Sequence, residues 1–271
     1  MKVQNKAKKY DGPRTDLDEI YMGNVNVECP STAKVVRIFT SSTFTDTMHE
    51  RNTLMENAYP KLKSFCQELG YEFQVVDMRW GVRDEAADDH MTTEICLKEL
   101  KMCKKLSTGP NFVSLMSHKY GYSDFPRCID ADKYEEMLEH IESKEMLELL
   151  NKWYSKDTNA IPPVYVVHPI SFHIPDFVSQ DKDKKNAART QWWSESEAIQ
   201  AALEEVAQKR FDSETARKYM RSVTETEVYG GIINADDINN TCIWLKRTIE
   251  DIETKDSSYI LSRYIGIIVF V

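Results

Sequence analysis

Short apolar, β-branched runs alternate along this chain with stretches of helical spacing, and that alternation limits the fold more than any other feature. KVVRIFT (Lys34 to Thr40), YEFQVVDM (Tyr71 to Met78), NFVSLMS (Asn111 to Ser117), VYVVH (Val164 to His168) and TCIWLKR (Thr241 to Arg247) each fit a buried strand. Between the first two, Thr47 and Glu50 make a capping-box pattern. Leu54, Ala58, Leu62 and Phe65 then recur on one helix face, and Gly70 ends the helix. Thr92 to Lys105 predicts a second helix with Ile95, Leu97, Leu100 and Cys103 on its apolar side. Helical patterns recur over about 131–154 and from Ser194 to Arg210, the latter opened by a second box at Ser194 and Glu197. Residues 169–190 read as a polar, mobile connection. The pattern predicts an α/β fold: an open, mainly parallel five-stranded sheet with helices on both faces and the first strand central. Ligands of such sheets sit beyond the carboxyl ends of the strands. The segments to inspect are therefore Ser41 to Asp46, Arg79 to Asp89, His118 to Phe125, and Arg221 to Ile232.

Composition narrows the function classes. The 271 residues are 41% hydrophobic and 29% charged, ordinary for a soluble globular protein. A net charge of -9 argues against nucleic acid as the main partner. Six cysteines without a C-x-x-C pair read as reduced buried thiols of a cytoplasmic protein, and no zinc site is expected. DEAADD (Asp84 to Asp89) lacks ordered ligand spacing and reads as a solvated loop, so no metal is expected there. The N-terminus has no signal-peptide core. The run YIGIIVFV (Tyr264 to Val271) is far shorter than the roughly 20 residues that cross a bilayer. No membrane partner is expected; the run fits a buried strand or the stump of a longer chain. The expected organisation is a polar lead over 1–33, a domain over 34–254 with an insertion at about 122–220, and a tail over 255–271.

RSVTETEVYGGI (Arg221 to Ile232) sets two acids at a helix start and two glycines after them. With Ser222 as N-cap, Glu225 becomes the partner of a capping box, a structural role. Glu227 has no such role. Two residues along a helix is about 200° of rotation, so at most one of the acids faces a pocket. Gly231, four residues on, removes bulk on the side of Glu227, at a helix cost of about 1 kcal/mol. Either a ligand or a neighbouring backbone needs that room, or the helix ends early and Glu227 faces solvent. Val228, Tyr229 and Ile232 argue the other way, setting Glu225 on the apolar side.

RIFTSSTFTDTMHERNTLMENAYPKLKSFC, FQVVDMRWGVR, TTEICLKELKMCKKLSTGPNFVSLMSHKYG and SVTETEV together resemble the N-terminal module of animal NACHT and WD-repeat proteins. Similar stretches occur in the telomerase-associated vault protein and nephrocystin. The shared element is the domain DUF4062, and the likeness covers about 34–254. DUF4062 in turn resembles TIR domains and nucleoside deoxyribosyltransferases. That second resemblance implies a TIR/flavodoxin-like sheet and a catalytic glutamate that opens a helix, followed by a hydrophobic residue and, four on, a small one. Here E-V-Y-G-G selects Glu227, with Val228 and Gly231 after it. The 122–220 insertion departs from the shorter TIR pattern and leaves the sheet order open.

The implied activity is cleavage of the nicotinamide–ribose bond of NAD as a substrate, with no other cofactor required. One carboxylate near the ribose would offset an oxocarbenium-like charge. Ser41, Ser42 and Thr43 would offer hydroxyls and N–H groups to ribose or phosphate. The competing reading makes SSTF a turn leading into the helix with Phe44 in the core. Trp80 would stack on a base or pack internally. Asp77 with Arg79, and Asp46 with Arg51, are candidate ion pairs shaping the loops. Glu225 stays in the candidate set beside Glu227. The resemblance also implies self-association for activity and a place in a larger NACHT-type signalling protein. The alternatives are a non-catalytic assembly module and, more distantly, a deoxyribosyl transferase. No G-x-x-x-x-G-K-[ST] is present, so no P-loop ATPase lies in these residues.

Overall fold

A computed structural model describes residues 19, 22–23, 34–80, 84–121, 123 and 125–250. The polar lead lies almost wholly outside the described residues, and the apolar run at Tyr264 to Val271 lies entirely outside them. The described strands are β1 (Val35–Ser41), β2 (Glu72–Val76), β3 (Phe112–Met116), β4 (Cys128–Asp130), β5 (Tyr154–Asp157), β6 (Val164–Val167) and β7 (Cys242–Lys246).

Four of them make a parallel sheet in the order β2-β1-β3-β7, with β1 inside as expected. Successive side chains of β1 point to opposite faces, and each face feeds its own core. Phe39 joins Met78, Cys96, Leu100, Cys103 and Phe112 under the Thr92–Leu106 helix. Ile38 joins Tyr59, Phe73, Val113 and Leu115 on the other side. The sheet therefore has helices on both faces, but four strands rather than five.

The fifth predicted strand left the sheet. VYVV is β6, the middle of a separate antiparallel sheet in the order β4-β6-β5. Its apolar run reads like a parallel core strand because both of its faces are also partly covered. This sheet packs into an inserted subdomain between β3 and β7. Two helices, Ala131–Leu138 and Lys144–Trp153, replace the single one predicted over 131–154; Ser143 caps the second by accepting from Met146 N–H. After a short helix, Ile170–His173, comes Lys182–Arg210, 29 residues long. It starts well before Ser194, because Asp181 is the working cap, accepting from the N–H groups of Asp183 and Lys184. Residues 169–190 are thus largely helical rather than a loop. Tyr134, Leu150, Trp153, Trp192, Ile199 and Leu203 fill this subdomain's core. Trp192 and His90, with ring centroids 5.2 Å apart, tie it to the sheet domain. Asp88 adds a second tie, accepting from the Ser171 N–H and hydroxyl at 2.6 Å each.

The first helix also departs from its predicted face. Met48–Thr53 passes through a π turn, Leu54–Ala58, into Tyr59–Glu68. One extra residue in a turn rotates everything after it by about 100°. Tyr59 and Cys66 point to the core in place of Ala58 and Phe65, and Leu62 and Phe65 are exposed. The Thr47–Glu50 box does not form: Thr47 Oγ1 donates to the Thr43 carbonyl, and Glu50 pairs with Arg247. No helix among the described residues is long and apolar enough to cross a membrane.

Candidate functional site

Strand β1 sits where the connections part, to β2 on one side and to β3 on the other. That point opens a crevice at the carboxyl ends of the strands. A cavity of about 580 Å³ occupies it, within the size range of small-molecule sites. All four segments singled out from the sequence contribute: Ser42 to Thr45, Arg79, Lys119 with Gly121, and Val223, Thr224 and Glu227.

Ser222 sets the local geometry. Its hydroxyl accepts from the Glu225 N–H at 3.0 Å, as the spacing predicts, and starts the Val223–Val228 helix. The reciprocal half of the box is absent. The Glu225 carboxylate accepts instead from Arg217 Nε and Nη2, at 3.0 and 2.8 Å, and from the Tyr120 hydroxyl. Glu225 is not among the residues lining the cavity. The apolar neighbours that seemed to favour it mislead, because Glu227 is the acid turned inward.

Glu227 is 6% exposed and forms part of the cavity wall. Its Oε2 accepts from Ser41 Oγ at 2.6 Å, a contact that joins positions 186 residues apart. Burial raises its carboxyl to about 7; the Ser41 hydroxyl, the Arg51 charge and the Cys96 thiol pull back toward the ionised form. The same burial, with Glu227 beside it, lifts Cys96 to about 12, so that thiol stays protonated. Cys96 lines the cavity and escaped the sequence reading, since a cysteine at helical spacing reads as core. Lys119 and Gly121 lie in the inspected segment His118 to Phe125 but were not named individually. Gly121 has φ of 101°, and a Cβ there would meet Thr224 Oγ1 at 3.1 Å and Thr43 at 3.2 Å.

The first loop is held from beneath by Arg51, which is 1% exposed. Its Nε donates to Ser42 Oγ at 2.7 Å, its Nη2 to the carbonyls of Thr40 and Ser42, and its Nη1 to Asp77. Asp77 pairs with Arg79 as well, at 3.1 Å. The expected Asp46–Arg51 pair is not formed. Asp46 is buried and accepts from Thr43 Oγ1 and from the Lys119 N–H at 3.3 Å. Phe44 is 47% exposed, so the core reading of SSTF fails; its ring lies over the Arg51 guanidinium at 5.0 Å and lines the cavity. The Trp80 side chain lies outside what is described.

Gly231 answers the question of the glycines. A Cβ there would fall 2.5 Å from the Phe112 ring. The missing bulk makes room for a core side chain of β3, and no ligand is needed to explain it.

The chemistry available is that of a desolvated carboxyl group flanked by hydroxyls, with cationic side chains at the rim. Such a set suits a polyol such as ribose carrying anionic groups.

Residues 37–159 match the family model described as Domain of unknown function (DUF4062). That span runs from within β1 through β5 and stops short of Glu227. Relatives extend further. The chain is 35% identical over 200 residues, 71% of its length, to human (Homo sapiens) NACHT and WD repeat domain-containing protein 2. It is 44% identical over 121 residues, 44% of its length, to mouse (Mus musculus) NACHT domain- and WD repeat-containing protein 1. Telomerase protein component 1 of Mus musculus is 27% identical over 169 residues, 60% of the chain. These alignments span 12%, 8% and 6% of the respective relatives. No solved structure matches the chain.

Proposed function

The chain belongs to the family of the NACHT and WD repeat domain-containing proteins, of whose length it spans about 12%, and from that premise we propose that it is a nucleotide-binding effector module whose Glu227 acts on the ribose of NAD. The reading is carried by one observation: a buried carboxyl, held by Ser41, in the wall of a cavity at the sheet's switch point.

The cleavage would run as follows. The C1′–N bond breaks and its electron pair stays on nicotinamide, which departs neutral. Positive charge develops at C1′ and O4′. Ionised Glu227, in a site poor in water, offsets that charge far more than a solvated acid would. A bound nicotinamidium cation lowers the Glu227 carboxyl from its raised value, so substrate binding itself favours the ionised form. Water adds at C1′ and its proton leaves to the acid or to solvent. Ser41 holds the carboxylate orientation, and Arg51 holds Ser42 and the loop. The cationic side chains of Arg79 and Lys119 would face phosphate oxygens.

A binding module without turnover is the second reading, favoured by the share of the relatives that the chain spans: one piece of a larger scaffold. Nicotinamide release from NAD, measured by chromatography on the free and on an artificially clustered protein, separates the two. Release that, at limiting NAD, rises as pH climbs through about 7 and that vanishes in Glu227→Ala supports the enzyme. Absence of release in both states overturns it, and NAD binding without release leaves the binding module.

A further inference from the structure

The middle of β3 holds a polar residue that its neighbours do not explain. FVSLM (Phe112–Met116) is otherwise apolar, yet Ser114 is fully buried, and among the described residues its Oγ has no hydrogen-bond partner. A hydroxyl buried without a partner costs stability, so a serine here calls for a use. β1 and β3 pair with Ser41 opposite Ser114. Side chains alternate along a strand, and Phe39 and Phe112 mark the face shared by Ser41 and Ser114, the one under the Thr92–Leu106 helix. Neighbouring strands lie about 4.8 Å apart, so the two hydroxyls stand side by side. The helix that carries Glu227 crosses the same place. Gly231 sits against the Phe112 ring. Glu227 is four residues back, about 6 Å along a helix, and Ser114 is two residues on, about 6.6 Å along a strand. The 2.6 Å contact of Ser41 Oγ with Glu227 Oε2 fixes the acid at this level.

We propose that Ser114 is a positioning residue of the Glu227 site: with Ser41 it makes a pair of hydroxyls that both donate to the ionised carboxylate and fix how that group faces the cavity. A carboxylate accepts several hydrogen bonds, and those to a charged acceptor are the strong ones. The other groups facing Glu227 come from other elements: Arg51 from the Met48–Thr53 helix, Cys96 from the Thr92–Leu106 helix, and Arg79 and Lys119 from the cavity wall. Asp77 is paired to Arg51, and Glu225 is held by Arg217 and Tyr120. Ser114 is the one polar side chain that β3 offers. For the cleavage proposed above, the inference rests on Glu227 acting as the anion, but its test needs no NAD.

Carbon-13 NMR of the glutamate carboxyls, with the Glu227 signal identified by its loss in Glu227→Gln, reads the titration directly. The parent should titrate at about 7, and Ser114→Ala about one pH unit higher. Ser114→Thr, which keeps the hydroxyl, should titrate close to the parent. In urea unfolding, Ser114→Ala should lose more stability at pH 8 than at pH 4, whereas a hydroxyl that only fills space gives the same change at both. An unshifted Glu227 titration in Ser114→Ala overturns the proposal. If the parent releases nicotinamide and the titration is unshifted, Ser114 falls and the cleavage stands. If the titration shifts and no nicotinamide is released, the cleavage falls and Ser114 stands as the holder of a binding carboxylate.

Discussion

A carboxyl whose proton is held more tightly in the folded state leaves a mark on stability. Glu227 rises from an ordinary 4.5 to about 7 because burial penalises its charge. The folded chain then binds a proton that the unfolded chain gives up between those values. Its contribution is complete below about 4.5 and is lost as pH rises through about 7. A shift of this size corresponds to something on the order of 3 kcal/mol. Glu227→Gln keeps an acceptor for Ser41 and never ionises. The variant should match the parent at pH 4 and exceed it in stability at pH 8, while losing any activity that needs the anion. Urea unfolding at the two pH values checks this; a parent-to-variant difference that stays constant with pH refutes the raised carboxyl. At this scale the sequence was partly legible. The Ser222 cap was legible because capping is local chemistry, but the carboxylate half of the box that set Glu225 aside does not form, and Arg217 and Tyr120 hold that acid instead. Arg51 under the loop, and its choice of Asp77 over Asp46, was not legible, since those partners meet only when β1 and β2 pair.

Elements show the same division between local and long-range causes. The strands of the parallel sheet were readable, because β-branched runs bounded by turns have few other uses, whereas β4 and β5, which lack such runs, were not. The face of the first helix was not, because a single π turn shifts the phase of all that follows, and no residue type marks such a turn. The two glycines after Glu227 belong here too. The π turn Tyr229–Ile233 meets Phe112 of β3 at Gly231. Gly231→Ala would drive a methyl group into the Phe112 ring, which is fully buried and stacked 6.1 Å from Phe39. The expected cost is about 1–3 kcal/mol of overpacking, larger than the small gain from removing a helical glycine. Thermal unfolding measures it, and pairing the change with Phe112→Leu should restore much of the loss. A neutral Gly231→Ala would mean that the glycine serves something other than this contact.

The whole molecule distributes its core unevenly, and that bears on how the candidate site is held. The parallel sheet has two thin layers, whereas the insertion carries the largest cluster of buried side chains. An insertion read as helical with one stray strand turns out to be a sheet-and-helix unit. Its three short strands pair with one another, a choice that apolar runs cannot reveal because pairing partners are set by tertiary contacts. A second cavity, of about 380 Å³, shares Thr92 and Val223 with that of Glu227 and is bounded by Trp192 of the insertion as well, so the join between the units fixes the shape of both. Trp192 is the centre of that join. Its ring lies 5.2 Å from His90 on the sheet side, and 6.0 and 4.7 Å from Phe125 and Trp153 on the other. Trp192→Ala should therefore cost about 3–5 kcal/mol, as truncating a large buried aromatic does. It should also loosen the coupling between units. In the parent, urea unfolding followed by near-ultraviolet circular dichroism and by hydrogen exchange at β1 should trace one transition. In the variant the two should separate, the exchange at β1 rising before the aromatic signal of the insertion is lost, because the smaller cores of the sheet lose the support of the larger one. Coincident transitions in Trp192→Ala would show that the sheet draws its stability from elsewhere than this join.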